Sequence, residues 1–134
     1  MMLATEMIVL SASVVLLLIH IQIQGGAVTR ERGKAWNLSS RDGLQPPLGK
    51  TAARAQRALD NYKETWPALI ALTLALETTG RAGGIGAAGA VVWLVARVIY
   101  LPLYLKGVER WRTGVFVLSL AGIVAMLVRL IGLF

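Results

Sequence analysis

An all-α integral membrane protein, built as a four-transmembrane-helix bundle, is the fold class that three features of this chain predict. Its 134 residues are 56% hydrophobic and have a mean hydropathy of +0.64, far from a soluble domain whose surface must be mostly polar. The apolar residues fall into four runs, each long enough with its flanks for the roughly 20-residue helix that spans a bilayer. Most of the basic residues lie in two segments between those runs, the pattern of membrane topology rather than of a nucleic-acid surface. One membrane domain over residues 1–134 is the expected organisation, because no segment between runs is long enough to fold alone.

The first run, Met7 to Ile23, has no Lys or Arg before it, and the following QIQGGAVTR offers no convincing small-x-small cleavage site. It reads as a retained helix rather than a signal peptide. The second helix extends from near Ala53 to near Thr79, although its apolar part, Ala68 to Leu76, is too short to span. Its polar turns must therefore enter the membrane as well. The third helix covers about Ile85 to Leu105 and the fourth about Thr113 to Phe134.

Loop charge predicts orientation. Arg30, Arg32, Lys34, Arg41, Lys50 and Arg54 lie between the first two helices, and Lys106, Arg110 and Arg112 between the last two, whereas the second turn offers Arg81 alone. The positive-inside rule puts both basic segments in the cytoplasm and both termini outside. Pro46-Pro47 and nearby Gly, Ser and Asp residues make the first segment irregular, suited to a lid or a contact surface.

Several chemistries are excluded at this stage. The chain has no cysteine, so a disulfide, a thiolate metal site and a protein thiol nucleophile are all ruled out. His20 is the single histidine, and a lone His without Cys partners is poor evidence for metal. Gly84 to Gly89 satisfies GxGxxG, with Glu109 at the spacing of a ribose-binding acid. That fingerprint signifies dinucleotide binding only after a strand in a βαβ unit. Here it opens a hydrophobic helix, where Ala82, Gly86 and Ala90 have the spacing that lets membrane helices pack closely.

The candidate site comes from two polar stripes. At about 100° per residue, Arg57, Asn61 and Glu64 share an arc of about 60° on the second helix, with Lys63 nearly opposite. Trp93, Arg97, Tyr100 and Tyr104 share a similar arc on the third. Ionisable groups at membrane depth cost on the order of 2.5–3.5 kcal/mol each and normally face a bundle interior or a watery cavity. Pairing of Arg97 with Glu64 or Asp60 would lower that cost. The stripes thus mark either a ligand or intersubunit cavity or a purely structural ion pair. Pro67 and Pro102 each leave a carbonyl free beside a stripe, where a kink would widen a cavity. Membrane helices also tolerate proline without such a role. Gln22, Gln24, Glu77 and Arg129 read as interfacial or structural groups.

With RAQRALDNYKETWP, then WLVARVIYLPLY, then RWRTG, the chain resembles the membrane-associated proteins in eicosanoid and glutathione metabolism, the MAPEG family, and its bacterial members in particular. The resemblance spans essentially the whole chain, including Arg41 to Gly43 in the basic first segment. It implies a homotrimer in the bacterial inner membrane, with glutathione as thiol cosubstrate bound between neighbouring subunits near the cytoplasmic face. By motif position it makes Arg57, Asn61 and Glu64 second-helix glutathione contacts and Arg97, Tyr100 and Tyr104 third-helix contacts. Arg112 would stand beside the thiol, and Arg30 or Arg32 would be a cation contributed by a neighbour.

The residue chemistry agrees with that implication. Glutathione carries two carboxylates, an ammonium and a thiol, so it requires fixed cations, a carboxylate and hydrogen-bond donors. A free thiol has a pKa near about 8.5, and a nearby arginine favours the thiolate. Arg112 can supply that charge and the Thr113 hydroxyl a hydrogen bond, while an apolar electrophile arrives laterally from the bilayer. The expected activity is a glutathione-dependent transferase or peroxidase. The alternatives are a non-catalytic relative that binds a lipid or a partner protein, and a small transporter subunit that uses the stripes as a substrate path.

Overall fold

Hydropathy alone does not set where these helices end. The computed structural model describes residues 2–133. Five helices are present: α1 (Thr5–Arg32), the short α2 (Lys34–Leu38), α3 (Lys50–Thr78), α4 (Gly84–Lys106) and α5 (Glu109–Leu130). Among the described residues there is no strand. The first helix is longer than the expected Met7 to Ile23. Nothing in Gln22 to Arg32 breaks a helix except the paired Gly25-Gly26, and the helix runs through to Gly33, whose φ of +87° turns the chain away. Arg30 and Arg32 consequently sit on α1 and not in the following loop. The fourth membrane helix starts at Glu109 rather than Thr113, and the expected end at Phe134 lies outside the described residues.

Short turns make α3, α4 and α5 successively antiparallel, and hydrogen bonds fasten both ends of the bundle. At the basic end, Gly49 N–H donates to Glu31 Oε2 at 2.9 Å and Arg54 Nη1 to the Leu105 carbonyl at 3.2 Å. At the opposite end, the fully buried Glu6 carboxylate accepts from Gly83 N–H at 2.6 Å. Arg81 Nη1 there donates to the Leu130 carbonyl at 2.5 Å. Gly107, in the left-handed region at φ +75°, closes α4 with its N–H on the Tyr104 carbonyl at 3.1 Å. Only a residue without a Cβ adopts that conformation without strain.

The core fills the space between α1, α3, α4 and α5. Tyr62, Leu69, Trp93 and Met126 are fully buried there. Tyr62 O–H donates to the Ser13 carbonyl at 2.5 Å, and Trp66 Nε1–H to Ser13 Oγ at 2.9 Å, tying α3 to α1. Helices α4 and α5 approach most closely where Gly89 meets Gly122; a Cβ on Gly89 would lie 2.5 Å from the Gly122 carbonyl oxygen. The glycine-rich opening of α4 is thus a packing surface. Its register runs through Gly86, Gly89, Ala90 and Trp93, all buried, whereas Ala82 precedes the helix. Both α3 and α4 continue through their prolines, Pro67 and Pro102.

Three helices, α1, α4 and α5, are long and apolar enough to cross a membrane. With 29 residues α3 has the length, but its first half is polar. Exposed Ile8, Val15, Leu18, Val95, Val98, Val117 and Val124 coat the outside of the bundle, an apolar surface suited to lipid rather than water. The chain is a multi-pass integral membrane protein.

Candidate functional site

The polar half of α3, the last turns of α4 and the first turns of α5 meet at the basic end and enclose a cavity of about 380 Å³. Helical spacing explains who lines it. Arg57, Asn61 and Glu64 come from one face of α3, Tyr100 and Tyr104 from α4, and Arg112, Thr113 and Phe116 from α5, with Asp60 completing the α3 wall. The volume falls in the range of roughly 300–1,000 Å³ usual for small-ligand pockets.

Two guanidiniums and two carboxylates share this space. Arg57 Nε–H donates to Tyr104 Oη at 3.2 Å, and the Arg112 guanidinium lies 4.7 Å from the centre of the same ring. Tyr104 thereby holds two cations on one side of the cavity, as a ring face and a phenol oxygen together allow. Asp60 and Glu64 line the same cavity from α3. Tyr100 packs on Tyr104 with ring centres 5.5 Å apart and on Phe116 at 6.2 Å. Thr113 Oγ1–H donates to the Glu109 carbonyl at 3.1 Å.

Arg97 lies beneath the cavity and does not line it. It is fully buried, and its Nη1 donates to Asn61 Oδ1 at 2.8 Å, while Asn61 Nδ2 reaches Glu64 Oε2 at a long 3.4 Å. The expected ion pair of Arg97 with Glu64 or Asp60 is therefore absent among the described residues, and Asn61 stands between the two charges. Asp60 instead accepts from Gln56 Nε2 at 3.0 Å and pairs with Lys63 at 3.4 Å. Asn61 is the residue of α3 that meets Arg97 directly; by helical arithmetic Glu64 lies about 60° and Asp60 about 100° around the helix from it. The Arg97 guanidinium also lies 4.5 Å from the Tyr100 ring centre and 5.4 Å from that of Tyr62. Its charge is thus spread over two aromatic faces and one amide.

Other residues of the two stripes divide cleanly. Trp93 is core, its ring centre 5.6 Å from that of Tyr62. Lys63 points away from the cavity, as helical arithmetic requires. Arg30 is exposed and borders a groove with Gln22, Gly26, Thr51 and Leu105. Arg32 donates to the Pro46 carbonyl at 3.2 Å and lies over Trp36. Neither lines the cavity within one chain.

Two lining residues escaped the sequence reading of the stripes. Asp60 is 40° from Glu64 by the same helical arithmetic, so a slightly wider arc would have included it. Phe116 is four residues after Arg112 and three after Thr113, the spacing of neighbours on one helix face.

No curated protein and no solved structure matches this chain. One family profile does, described as the MAPEG family, and it matches residues 8–132. That range takes in α3, α4 and α5 whole, α1 from Ile8 onward, and every residue of the cavity. MAPEG proteins are membrane proteins concerned with glutathione-related transfer and peroxidase chemistry, and this chain belongs to the MAPEG family.

Proposed function

We propose that the protein is a glutathione-dependent transferase or peroxidase of a bacterial inner membrane, with glutathione bound at the cavity and an apolar electrophile supplied from the bilayer. The carrying observation is the mixed charge of that cavity, where Arg57, Asp60 and Glu64 of α3 and Arg112 of α5 line one space of about 380 Å³. A ligand with only negative groups would leave Asp60 and Glu64 opposed by like charge. Glutathione presents two carboxylates for Arg57 and Arg112 and an ammonium for Glu64 and Asp60, so every charge finds its complement. Tyr100 and Tyr104 add phenol hydrogen bonds, and Asn61, held by Arg97, orients the amide edge.

Chemistry then falls to the α5 side. The Arg112 charge favours the thiolate, which attacks the electrophilic carbon; a sulfur–carbon bond forms as the leaving group departs with its electron pair. Rotation of Thr113 about its Cα–Cβ bond redirects its hydroxyl from Glu109 to the sulfur. Beside these residues, Trp111, Gly114, Val115 and Leu118 border an apolar groove of about 560 Å³. It supports a lateral approach from lipid.

The proposed assembly is a homotrimer of single-domain subunits, with Arg30 of one subunit reaching the cavity of the next. The basic end faces the cytoplasm and the termini the other side. Because the chain has no cysteine, a single introduced thiol reports this orientation: an impermeant maleimide added to spheroplasts labels Thr79→Cys and spares Ser40→Cys. The reading as a whole is tested by titrating glutathione into purified protein in detergent, with thiolate absorbance and conjugation to an aryl halide followed together. Saturable binding with a thiolate signal is expected. Absence of binding sinks the glutathione site, and binding without thiolate or turnover sinks the enzymatic half in favour of a non-catalytic relative.

A further inference from the structure

A second cavity at the basic end is separate from the mixed-charge cavity, although Arg32 in its wall is one of the two arginines that the resemblance offers as a neighbour's cation. It encloses about 300 Å³, and its lining includes Gln24, Arg32, Trp36, Asn37, Arg41 and Gln56, with no carboxylate. That volume is roughly ten times the share of one water molecule in the liquid. The Arg32 guanidinium lies 4.6 Å and that of Arg41 5.3 Å from the centre of the Trp36 ring. Two like charges are therefore gathered over one aromatic side chain.

Their partners are all neutral. Arg32 Nη2 donates to the Pro46 carbonyl at 3.2 Å, and Arg41 Nη2 to Asn37 Oδ1 at 2.7 Å. Of the nearby acids, Glu31 is turned to Gly49 N–H at 2.9 Å, and Asp42, exposed like Arg41 itself, makes no ion pair with either arginine among the described residues. Trp36 Nε1–H is covered and has no acceptor. Arg41 adopts φ +61°, the only non-glycine residue with positive φ among those described. A guanidinium has five N–H donors, so donors and positive charge are both in surplus here.

We propose that this cavity binds the phosphate group of an anionic lipid headgroup. Two guanidiniums over one ring offer N–H groups from separate directions, which suits the oxygens of a tetrahedral phosphate better than a planar carboxylate. The cavity lies at the ends of α1 and α3, where long apolar helices give way to polar residues, which is the depth of lipid headgroups. Gln24 Nε2 donates to Gln56 Oε1 at 2.7 Å, and Gln56 Nε2 donates to Asp60 Oδ1 at 3.0 Å. An occupant is thereby linked through two amides to a wall of the mixed-charge cavity. The site itself does not depend on what that other cavity binds.

The test uses the full-length protein in nanodiscs of phosphatidylcholine with a minor fraction of phosphatidylglycerol, released and read by native mass spectrometry. Wild type is expected to retain phosphatidylglycerol, with about tenfold less retained by Arg32→Gln and by Arg41→Gln, the size of a lost charged hydrogen bond. Lys34→Gln, on α2 but outside the cavity, is expected to retain the wild-type amount. Circular dichroism verifies the fold of each variant; if Arg41→Gln does not fold, Arg32→Gln against Arg32→Lys carries the comparison, the lysine keeping the charge and most of the lipid. Unchanged retention in the glutamine variants, or an equal loss in Lys34→Gln, overturns the site. Displacement of the lipid by millimolar inorganic phosphate, or retention of phosphate without lipid, overturns the lipid assignment and makes free phosphate the ligand.

Discussion

Single side chains of the mixed-charge cavity differ in what they touch, and that separates their expected effects. Arg57 and Glu64 line the cavity, whereas Lys63 makes an exposed pair with Asp60 at 3.4 Å, the kind of contact worth about 0–1 kcal/mol. Arg57→Ala and Glu64→Ala are expected to weaken glutathione binding by about 1.5–3 kcal/mol each, and Lys63→Ala by well under that. Calorimetric titration decides it, and equal losses at all three positions would reject the α3 face as the recognition surface. Arg112 acts on the sulfur instead. Arg112→Ala removes a cation that favours the charged form, so the thiol pKa of bound glutathione rises and the pH–rate curve moves to higher pH. Thiolate absorbance titrated against pH checks this, and an unmoved curve removes Arg112 from the chemistry. Arg57 and Glu64 were legible as a stripe because helical period alone puts them on one face, whereas Arg112 belongs to neither stripe and was assigned by the family resemblance. The partner of Arg97 was not legible, since the register between α3 and α4 that opposes it to Asn61 leaves no mark in the period of either helix.

Among the helices, the α4 and α5 pair depends most on small residues. Each of Gly89 and Gly122 would bring a Cβ within 2.5 Å of the other's carbonyl oxygen, while nothing lies within 4 Å of a Cβ on Gly114. Backbone atoms cannot rotate aside as a side chain does. Gly89→Ala and Gly122→Ala are therefore expected to cost about 1–3 kcal/mol or more by overpacking. Gly114→Ala gains roughly 1 kcal/mol of helix propensity. Thermal unfolding in detergent distinguishes them, and equal tolerance of all three would mean that the two helices are not locked there. The small-residue spacing in the sequence announced such a packing face. Its register required the partner helix, and so Ala82 was included and Gly89 passed over. The length of α1 was missed for a related reason: hydropathy falls after Ile23, yet the helix continues through Gly25-Gly26 to Arg32, and Gly33 is the stop.

Across the whole molecule, Glu6 shows how far local reading falls short. One acid at the start of an apolar run looks like an interfacial group, but it is fully buried and caps the turn before α4 through Gly83 N–H at 2.6 Å. Only the closed bundle brings those residues together. The assembly has its own signature. If a neighbour's Arg30 completes each cavity, Arg30→Ala and Arg57→Ala chains are each defective alone, yet mixed trimers contain some cavities with both arginines. Random mixing in a closed ring gives about a quarter of the sites intact. Co-expression should restore roughly that share of glutathione binding. No restoration would place the whole site within one subunit.

The buried hydrogen bond between Arg97 and Asn61, 2.8 Å long, also constrains biogenesis. A nascent α3 is not among the helices apolar enough to span on composition, and a nascent α4 carries an arginine that lipid would reject at a cost of some 2.5–3.5 kcal/mol. Each supplies what the other needs, and the turn at residues 79–83 is short enough to deliver them side by side. The translocon should therefore release α3 and α4 as one hairpin. In a glycosylation-mapped insertion assay, α3 alone should stay largely outside the membrane and enter it when followed by wild-type α4, with Asn61→Leu restoring entry of α3 without its neighbour; efficient entry of unmodified α3 by itself would show that the arginine and its amide meet only after both helices are already in place.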